Sequence, residues 1–280
     1  MEISILGPLV LRHAGGGSAP TAPKPRSALG LLLLNADQTV QGSSLIRDLW
    51  GSFPPTSAVT TLQTYILQIR KSLARLLGVS VAEVSRELLV TVPGGYELRA
   101  ASADFDRREF DRLAATGRSA LSQGDNLGAA AALSRACALW RGPALADVRP
   151  GVVAEAQLRA LEQTRLTTLE QSIDARMRLG HHQDVLPELT LLVAEHGLNE
   201  NLCAQLMVAL HRSGRRREAL YAFHQLRGSM VAELGLEPSK RLHLLQQAVL
   251  SDDPSLEVPP RDDGLIQLLD HLVGQRARAL

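Results

Sequence analysis

Residues 60–77 read TTLQTYILQIRKSLARLL, and the two faces of this stretch decide the fold. Leu62, Ile66, Ile69, Leu73 and Leu76 recur at spacings of 4, 3, 4 and 3, the stripe of an amphipathic helix that must be buried against a core. A second stripe, Ser57, Thr61, Thr64, Gln68, Lys71 and Arg75, keeps a similar rhythm. It lies on the opposite side, because two residues along a helix turn the chain by about 200°. The second stripe carries no acid, whereas a solvated face ordinarily mixes both signs of charge. The helix therefore has a core on one side and, on the other, either an ordinary solvated surface, the commoner meaning of a basic face alone, or one shaped to meet an anion.

The elements around it complete a recognisable order. EISILGPLVLRH, residues 2–13, predicts two strands around a Gly7-Pro8 turn, and GGGSAPTAP a loop. A helix is expected over about residues 26–35, carrying the LGLLLL run. A short one follows over 43–51, with Ser43 or Ser44 as N-cap and Gly51 as stop. Pro55 suits the first turn of the long third helix. In ELLVTVPGGYELRA two alternating runs flank Pro93-Gly94-Gly95, a β-hairpin. Strands, three helices and a closing hairpin, with the third helix long and basic, describe a winged helix-turn-helix. In that architecture the third helix enters the DNA major groove and the hairpin touches the backbone.

From about Asp104 onward the pattern is almost wholly helical, with breaks at Gly124, Gly142, Gly180, Gly197 and Gly214. The segments opening at Gly180 and Gly214 resemble each other at an offset of 34 residues, the length of a tetratricopeptide (TPR) unit. Such units bury a core only by stacking. The predicted fold is thus mostly α: an N-terminal α+β winged helix over residues 1–100 and an all-α TPR-like repeat domain over 104–253. Residues 254–280 would form a linker and a short C-terminal tail helix.

Composition narrows the function. The 280 residues leave room for two domains, and 45% apolar content excludes a disordered chain. Aromatics are only 3%, so Ala and Leu must build the core, which favours helix packed on helix. Lysine occurs only at positions 24, 71 and 240, which reads as a base-composition bias toward Arg. Residues 1–100 hold 9 Lys/Arg against 6 Asp/Glu, and the remainder 21 against 23, an asymmetry that permits nucleic-acid binding by the first part without requiring it. Glu2 and the lack of a cleavage pattern argue against a secretory leader. LGLLLL is far shorter than the roughly 20 residues a membrane span needs. A cytoplasmic, nucleoid-associated protein without membrane contact is expected.

Catalysis finds no support. GxxxxGK[ST], GxSxG and HExxH are absent, and Cys137 and Cys203 lie too far apart for a metal pair and read as small buried hydrophobes. His181-His182 reads as exposed turn residues. No enzyme activity, cofactor or metal is expected. No aspartyl-phosphate receiver is expected ahead of the winged helix, and control by protein abundance is the simpler expectation.

The chain resembles the SARP family, the Streptomyces antibiotic regulatory proteins, which pair an OmpR-type winged helix with a bacterial transcriptional activator domain. The motifs are ILGPLVL, LLLLNADQTV, LIRDLWG, LQTYILQIRKSL, TVPGGYEL, LWRGPALADV, LRALEQTRL, AQLMVALHRSGRRREALYAFHQLR and AELGLEPSKRLHLLQQAVL, in the family's order over roughly residues 1–253. The resemblance implies an activator of a secondary-metabolite gene cluster. It would bind tandem direct repeats of double-stranded DNA near a promoter −35 element, as a homodimer or as side-by-side protomers, and recruit RNA polymerase holoenzyme including its sigma factor.

It also places residues. Thr64 and Gln68 fall where base edges are read. Thr61, Arg70 and Lys71 fall near the phosphate track, and Thr60 and Arg75 are counted among the DNA-binding residues. Trp50 matches a position whose indole N–H donates to phosphate. Thr91 and Tyr96 sit on the wing, and the bare backbone of Gly94 and Gly95 could approach DNA closely. Trp50 and Tyr96 could equally be packing residues, and Tyr65 reads as core. Two departures matter. Many relatives have Arg where this chain has Gln68, and Arg favours guanine where Gln favours adenine. Pro93 stands where related winged helices often carry a wing-tip Arg, which leaves phosphate contacts only to the wing. The triplet Arg215, Arg216, Arg217 could meet DNA or an acidic partner. Two other readings compete: a protein scaffold built on the repeats, and a ligand-gated regulator whose repeats hold a metabolite.

Overall fold

The structure is a computed structural model, and it describes residues 1–14, 16–17, 20–256, 265, 268–270 and 272. Most of the expected linker and tail helix lies outside the described residues. Two compact units emerge. The first holds residues 1–112 and 136–166, and the second 113–135 and the chain from 167 onward.

The first unit opens with β1 (Glu2–Ser4), β2 (Val10–His13) and the two-residue β3 (Gly16–Gly17). β1 pairs antiparallel with β2 and parallel with β7 (Asp104–Phe105), so the sheet runs β3-β2-β1-β7. α1 (Pro23–Leu34) starts three residues earlier than the periodicity predicts, with prolines in its first turn, and buries Leu29, Leu31, Leu32 and Leu33. β4 (Thr39–Gln41) leads into α2 (Gly42–Trp50) and α3 (Ala58–Leu77). A short helix, α4 (Val81–Glu87), then precedes the hairpin β5 (Leu89–Val92) and β6 (Gly95–Leu98). Ser80 caps α4 by accepting from the Glu83 N–H, the first half of a capping box. A second sheet runs β4-β6-β5. The helix-turn-helix and wing order inferred from sequence is present.

The cap of α2 is a correction. Its N-cap is Gln41, with no side-chain cap, and Ser43 and Ser44 lie inside the helix. The reason is tertiary: the Gly42 N–H, an orphan of the first turn, donates to the Gly94 carbonyl at 2.9 Å. The wing turn satisfies the first N–H of the helix, where a serine cap would have accepted from the second or third.

Residues 136–166 belong to the first unit through specific polar contacts as well as packing. Asp48 on α2 is buried and accepts from the Val153 and Ala154 N–H groups at 3.0 and 2.8 Å, at the start of α7 (Val152–Arg178). Asp147 accepts from the Leu9 N–H and pairs with Arg26. Asn35 and Gln157 exchange two amide hydrogen bonds, at 2.9 and 3.0 Å. Trp140 packs edge-on against Phe110 at 5.4 Å between ring centroids. The motif LWRGPALADV therefore completes the core of the N-terminal unit: the Arg141 and Leu145 N–H groups donate to the Leu6 and Ile5 carbonyls. The compact unit thus crosses the boundary expected near residue 100.

Among its described residues the second unit holds helices joined by turns and no strand. It takes in most of α5 (Asp106–Ser122) and α6 (Asn126–Ala138), then α8 (His182–Glu195), α9 (Glu200–Arg212), α10 (Arg216–Leu234) and α11 (Lys240–Ser251). Gly180 and Gly214, at φ +89° and +73°, make the left-handed turns before α8 and α10 that carry the 34-residue echo. α9 packs between α8 and α10 and is buried from Leu202 to His211, Cys203 included. Gly117 of α5 has no side chain because a Cβ would lie 2.4 Å from Leu133.

Candidate nucleic-acid interface

α3 is oriented by its apolar stripe. Leu62, Ile66, Ile69 and Leu73 are buried, whereas Leu76, near the helix end, is only half-buried. The opposite face is open: Thr60, Thr64, Gln68, Lys71 and Arg75 are exposed and Thr61 is half-exposed. No acid occurs anywhere in α3, and among the described residues neither Lys71 nor Arg75 has an ion-pair partner. Two unpaired cations on a face with two exposed threonines and a glutamine leave donors and acceptors directed at solvent. The Thr64 hydroxyl gives its proton to the Thr60 carbonyl at 3.1 Å, so its oxygen faces outward as an acceptor.

At one flank Trp50, half-buried at the end of α2, stacks on Tyr65 with centroids 6.1 Å apart and planes 17° from parallel. The pair joins α2 to α3. Lys24 lies over the Trp50 ring, 5.8 Å from its centroid, and its ammonium donates to the Leu49 carbonyl at the end of α2. Lys24 is exposed and has no carboxylate partner among the described residues. Sequence reading missed it. The available signal was its rarity, one of three lysines in an Arg-rich chain, but nothing local tied it to Trp50.

At the other flank stands the wing. Arg70, expected near the phosphate track, is turned to the wing within the chain. Its Nε and Nη2 donate to the Leu89 carbonyl at 3.0 and 2.8 Å, and Nη2 also donates to the Thr91 hydroxyl at 2.8 Å. Burial pulls the Arg70 pKa down from its ordinary value, opposed only by nearby Tyr96. Thr91 is exposed and pairs across the hairpin with half-buried Tyr96.

Gly95 is a second departure. It is buried, and a Cβ there would lie 2.1 Å from the Val40 carbonyl oxygen, so its bareness serves the close approach of β4 and β6. Gly94 is exposed at φ +80°, a left-handed turn position, and its carbonyl holds the start of α2. The arginine triplet is largely satisfied within the chain: Arg215 pairs with Glu218 at 2.6 Å, and Arg216 donates to the Leu250 carbonyl and lies 3.9 Å from Asp252. No group of three or more His, Cys, Asp or Glu able to hold a metal occurs among the described residues, and none of their helices is long and apolar enough to cross a membrane.

This geometry belongs to a known lineage. The family model for the bacterial transcriptional activator domain matches residues 105–250. The regulatory protein DnrI of Streptomyces peucetius is 46% identical over 92% of this chain and 94% of its own length. The chain belongs to the SARP family. Another relative, the transcriptional regulator RedD of Streptomyces coelicolor, is 34% identical over 92% of this SARP and 73% of its own length. The solved structure of Mycobacterium tuberculosis EmbR in complex with a low affinity phosphopeptide superposes with a TM-score of 0.82 at 27% identity. It covers 99% of this SARP and 70% of that chain. This SARP is accordingly a transcription regulator carrying an activator domain and is not an enzyme.

Proposed function

We propose that this SARP activates a secondary-metabolite gene cluster by docking α3 in the major groove of promoter DNA. Protomers would stand on tandem direct repeats near the −35 element, about 10.5 bp apart, and recruit RNA polymerase holoenzyme through its sigma factor. The observation that carries the reading is the acid-free, exposed face of α3, whose Lys71 and Arg75 have no counter-ion among the described residues. Gln68 and Thr64 read base edges. Lys71, Arg75, Thr60 and Thr61 follow the phosphates, joined by Lys24 and Trp50 at one flank and by Thr91 and Tyr96 at the other. The major groove, roughly 12 Å wide, accepts a helix of this diameter.

The test is in-vitro selection of genomic fragments by the full chain near physiological salt, beside a full-chain triple variant, Gln68→Ala/Lys71→Ala/Arg75→Ala. All three side chains are exposed, so the variant keeps the fold. Enrichment of direct repeats by the parent alone is expected. Equal enrichment by both chains, or none by the parent, would move the function to another surface.

A further inference from the structure

Arg70 and Thr91 are joined in a way that a DNA-facing arginine and a wing threonine acting separately would not require. Two guanidinium nitrogens share the Leu89 carbonyl, at 3.0 and 2.8 Å, which fixes the plane of the group against the first strand of the wing. That plane brings Nη2 within 2.8 Å of the Thr91 oxygen. Arginine has donors only, and a hydroxyl has one donor and two acceptor positions. In this contact the proton must therefore come from Arg70, and Thr91 keeps its own. No other hydrogen bond of the Thr91 hydroxyl occurs among the described residues, and the residue is exposed. On α3, Arg70 is two residues beyond Gln68, roughly 200° around the helix. Its stem thus leaves the helix well away from the base-reading side chain.

We infer that Arg70 is a positioning residue: it locks the wing to the recognition helix and, by donating to Thr91, turns the Thr91 hydroxyl proton outward to a DNA phosphate. A cationic donor on the oxygen also polarises the O–H bond and strengthens its donation. The wing and α3 then meet DNA as one piece, and the phosphodiester oxygen contacted is held by Thr91 rather than by the guanidinium. The inference rests on the DNA-binding reading above and assigns within it the role of charge at position 70.

Lysine makes the decisive comparison. It keeps the positive charge but not the planar fork that spans Leu89 and Thr91. The experiment measures affinity of the full chain for its selected operator by fluorescence anisotropy across a salt series. The variants are Arg70→Lys, Arg70→Ala, Thr91→Val, Thr91→Ser and Arg70→Lys/Thr91→Val, each checked for folding by thermal melt. Arg70→Lys and Thr91→Val are each expected to lose about 5- to 10-fold, Thr91→Ser to stay within about twofold, and the double variant to lose no more than either single one. The slope of log K against log salt should be unchanged in Arg70→Lys and Arg70→Ala. Parent-like binding by Arg70→Lys, with the slope of Arg70→Ala reduced by about one, would make Arg70 a direct phosphate contact and overturn the inference. Multiplying losses in the double variant would overturn it as well. If the Arg70 variants do not fold, Thr91→Val binding like the parent is sufficient to reject it. A parent that selects no operator fails the DNA-binding reading itself, whereas a parent that binds with variants of the wrong pattern fails this inference alone.

Discussion

In the proposed docking of α3, Gln68 is the side chain on which sequence preference turns, because its amide can pair with adenine at two points, with Thr64 beside it at the base edges and Lys71 and Arg75 on the phosphates. Gln68→Ala is expected to cost about 1–3 kcal/mol on the operator and much less on random DNA, measured by competition binding. Equal losses on both would remove it from base reading. Lys24→Gln should behave in the opposite way, weakening all sequences alike and lowering the salt slope by about one. An unchanged slope would leave Lys24 as only a cap on the end of α2. These residues differ in how legible they were. Thr64, Gln68, Lys71 and Arg75 follow from helical spacing alone, since the buried stripe fixes where the other face points. Arg70 did not follow, because its partners lie 19 and 21 residues ahead on the wing. No local pattern distinguishes a cation that reaches DNA from one that reaches a strand.

At the scale of elements, two devices depend on close approach. Gly95→Ala would drive a Cβ into the Val40 carbonyl, 2.1 Å away, and force β4 from β6. Such a clash should destabilise by about 1–3 kcal/mol. The melting temperature of the full chain should fall and operator affinity with it; an unshifted melt would show that the strands part at little cost. In the sequence, Gly94-Gly95 marked a tight turn correctly, but the need for the second glycine comes from β4, more than fifty residues upstream. The same limit applied to α2, whose first N–H is held by the Gly94 carbonyl and which has no serine cap.

In α9, burial and then nearby Glu200 push the Cys203 thiol up to about 12, so it stays protonated and unreactive near neutrality. Its folded pKa lies above the unfolded value, so its contribution to stability is complete below about pH 9 and is lost as pH rises toward 12. Iodoacetamide at pH 8 should label Cys203 only after denaturation, as read by peptide mass. Rapid labelling of the native chain would contradict the burial.

For the whole molecule, the compact units and the sequence boundaries divide the chain differently. The helical breaks and the 34-residue echo were readable because Gly at left-handed turns and apolar periodicity are local signals. That residues 136–166 fold with the winged helix was not, because the contacts, polar ones from Asp48, Asp147 and Gln157 and packed ones such as Trp140 on Phe110, join residues far apart in sequence. Asp48→Ala would leave the Val153 and Ala154 N–H groups without an acceptor, a loss of about 1–3 kcal/mol that a thermal melt of the full chain should register. A fragment ending at residue 104 would lack Trp140, Leu145 and Val148, all buried in the complete unit, and should melt below the full chain. A fragment as stable as the full chain would make the winged helix a separate folding unit after all.

The central claim is that α3 reads the major groove while the wing, tipped by Pro93, meets only backbone. The most direct measurement is a dimethyl sulfate footprint of the full chain on its selected operator, because the reagent marks guanine N7 in the major groove and adenine N3 in the minor groove. The account predicts protection of guanine N7 in two tracts about 10.5 bp apart on one face, with adenine N3 reactivity unchanged between them. Protection confined to adenine N3, or none at guanine N7 under saturating protein, would contradict it.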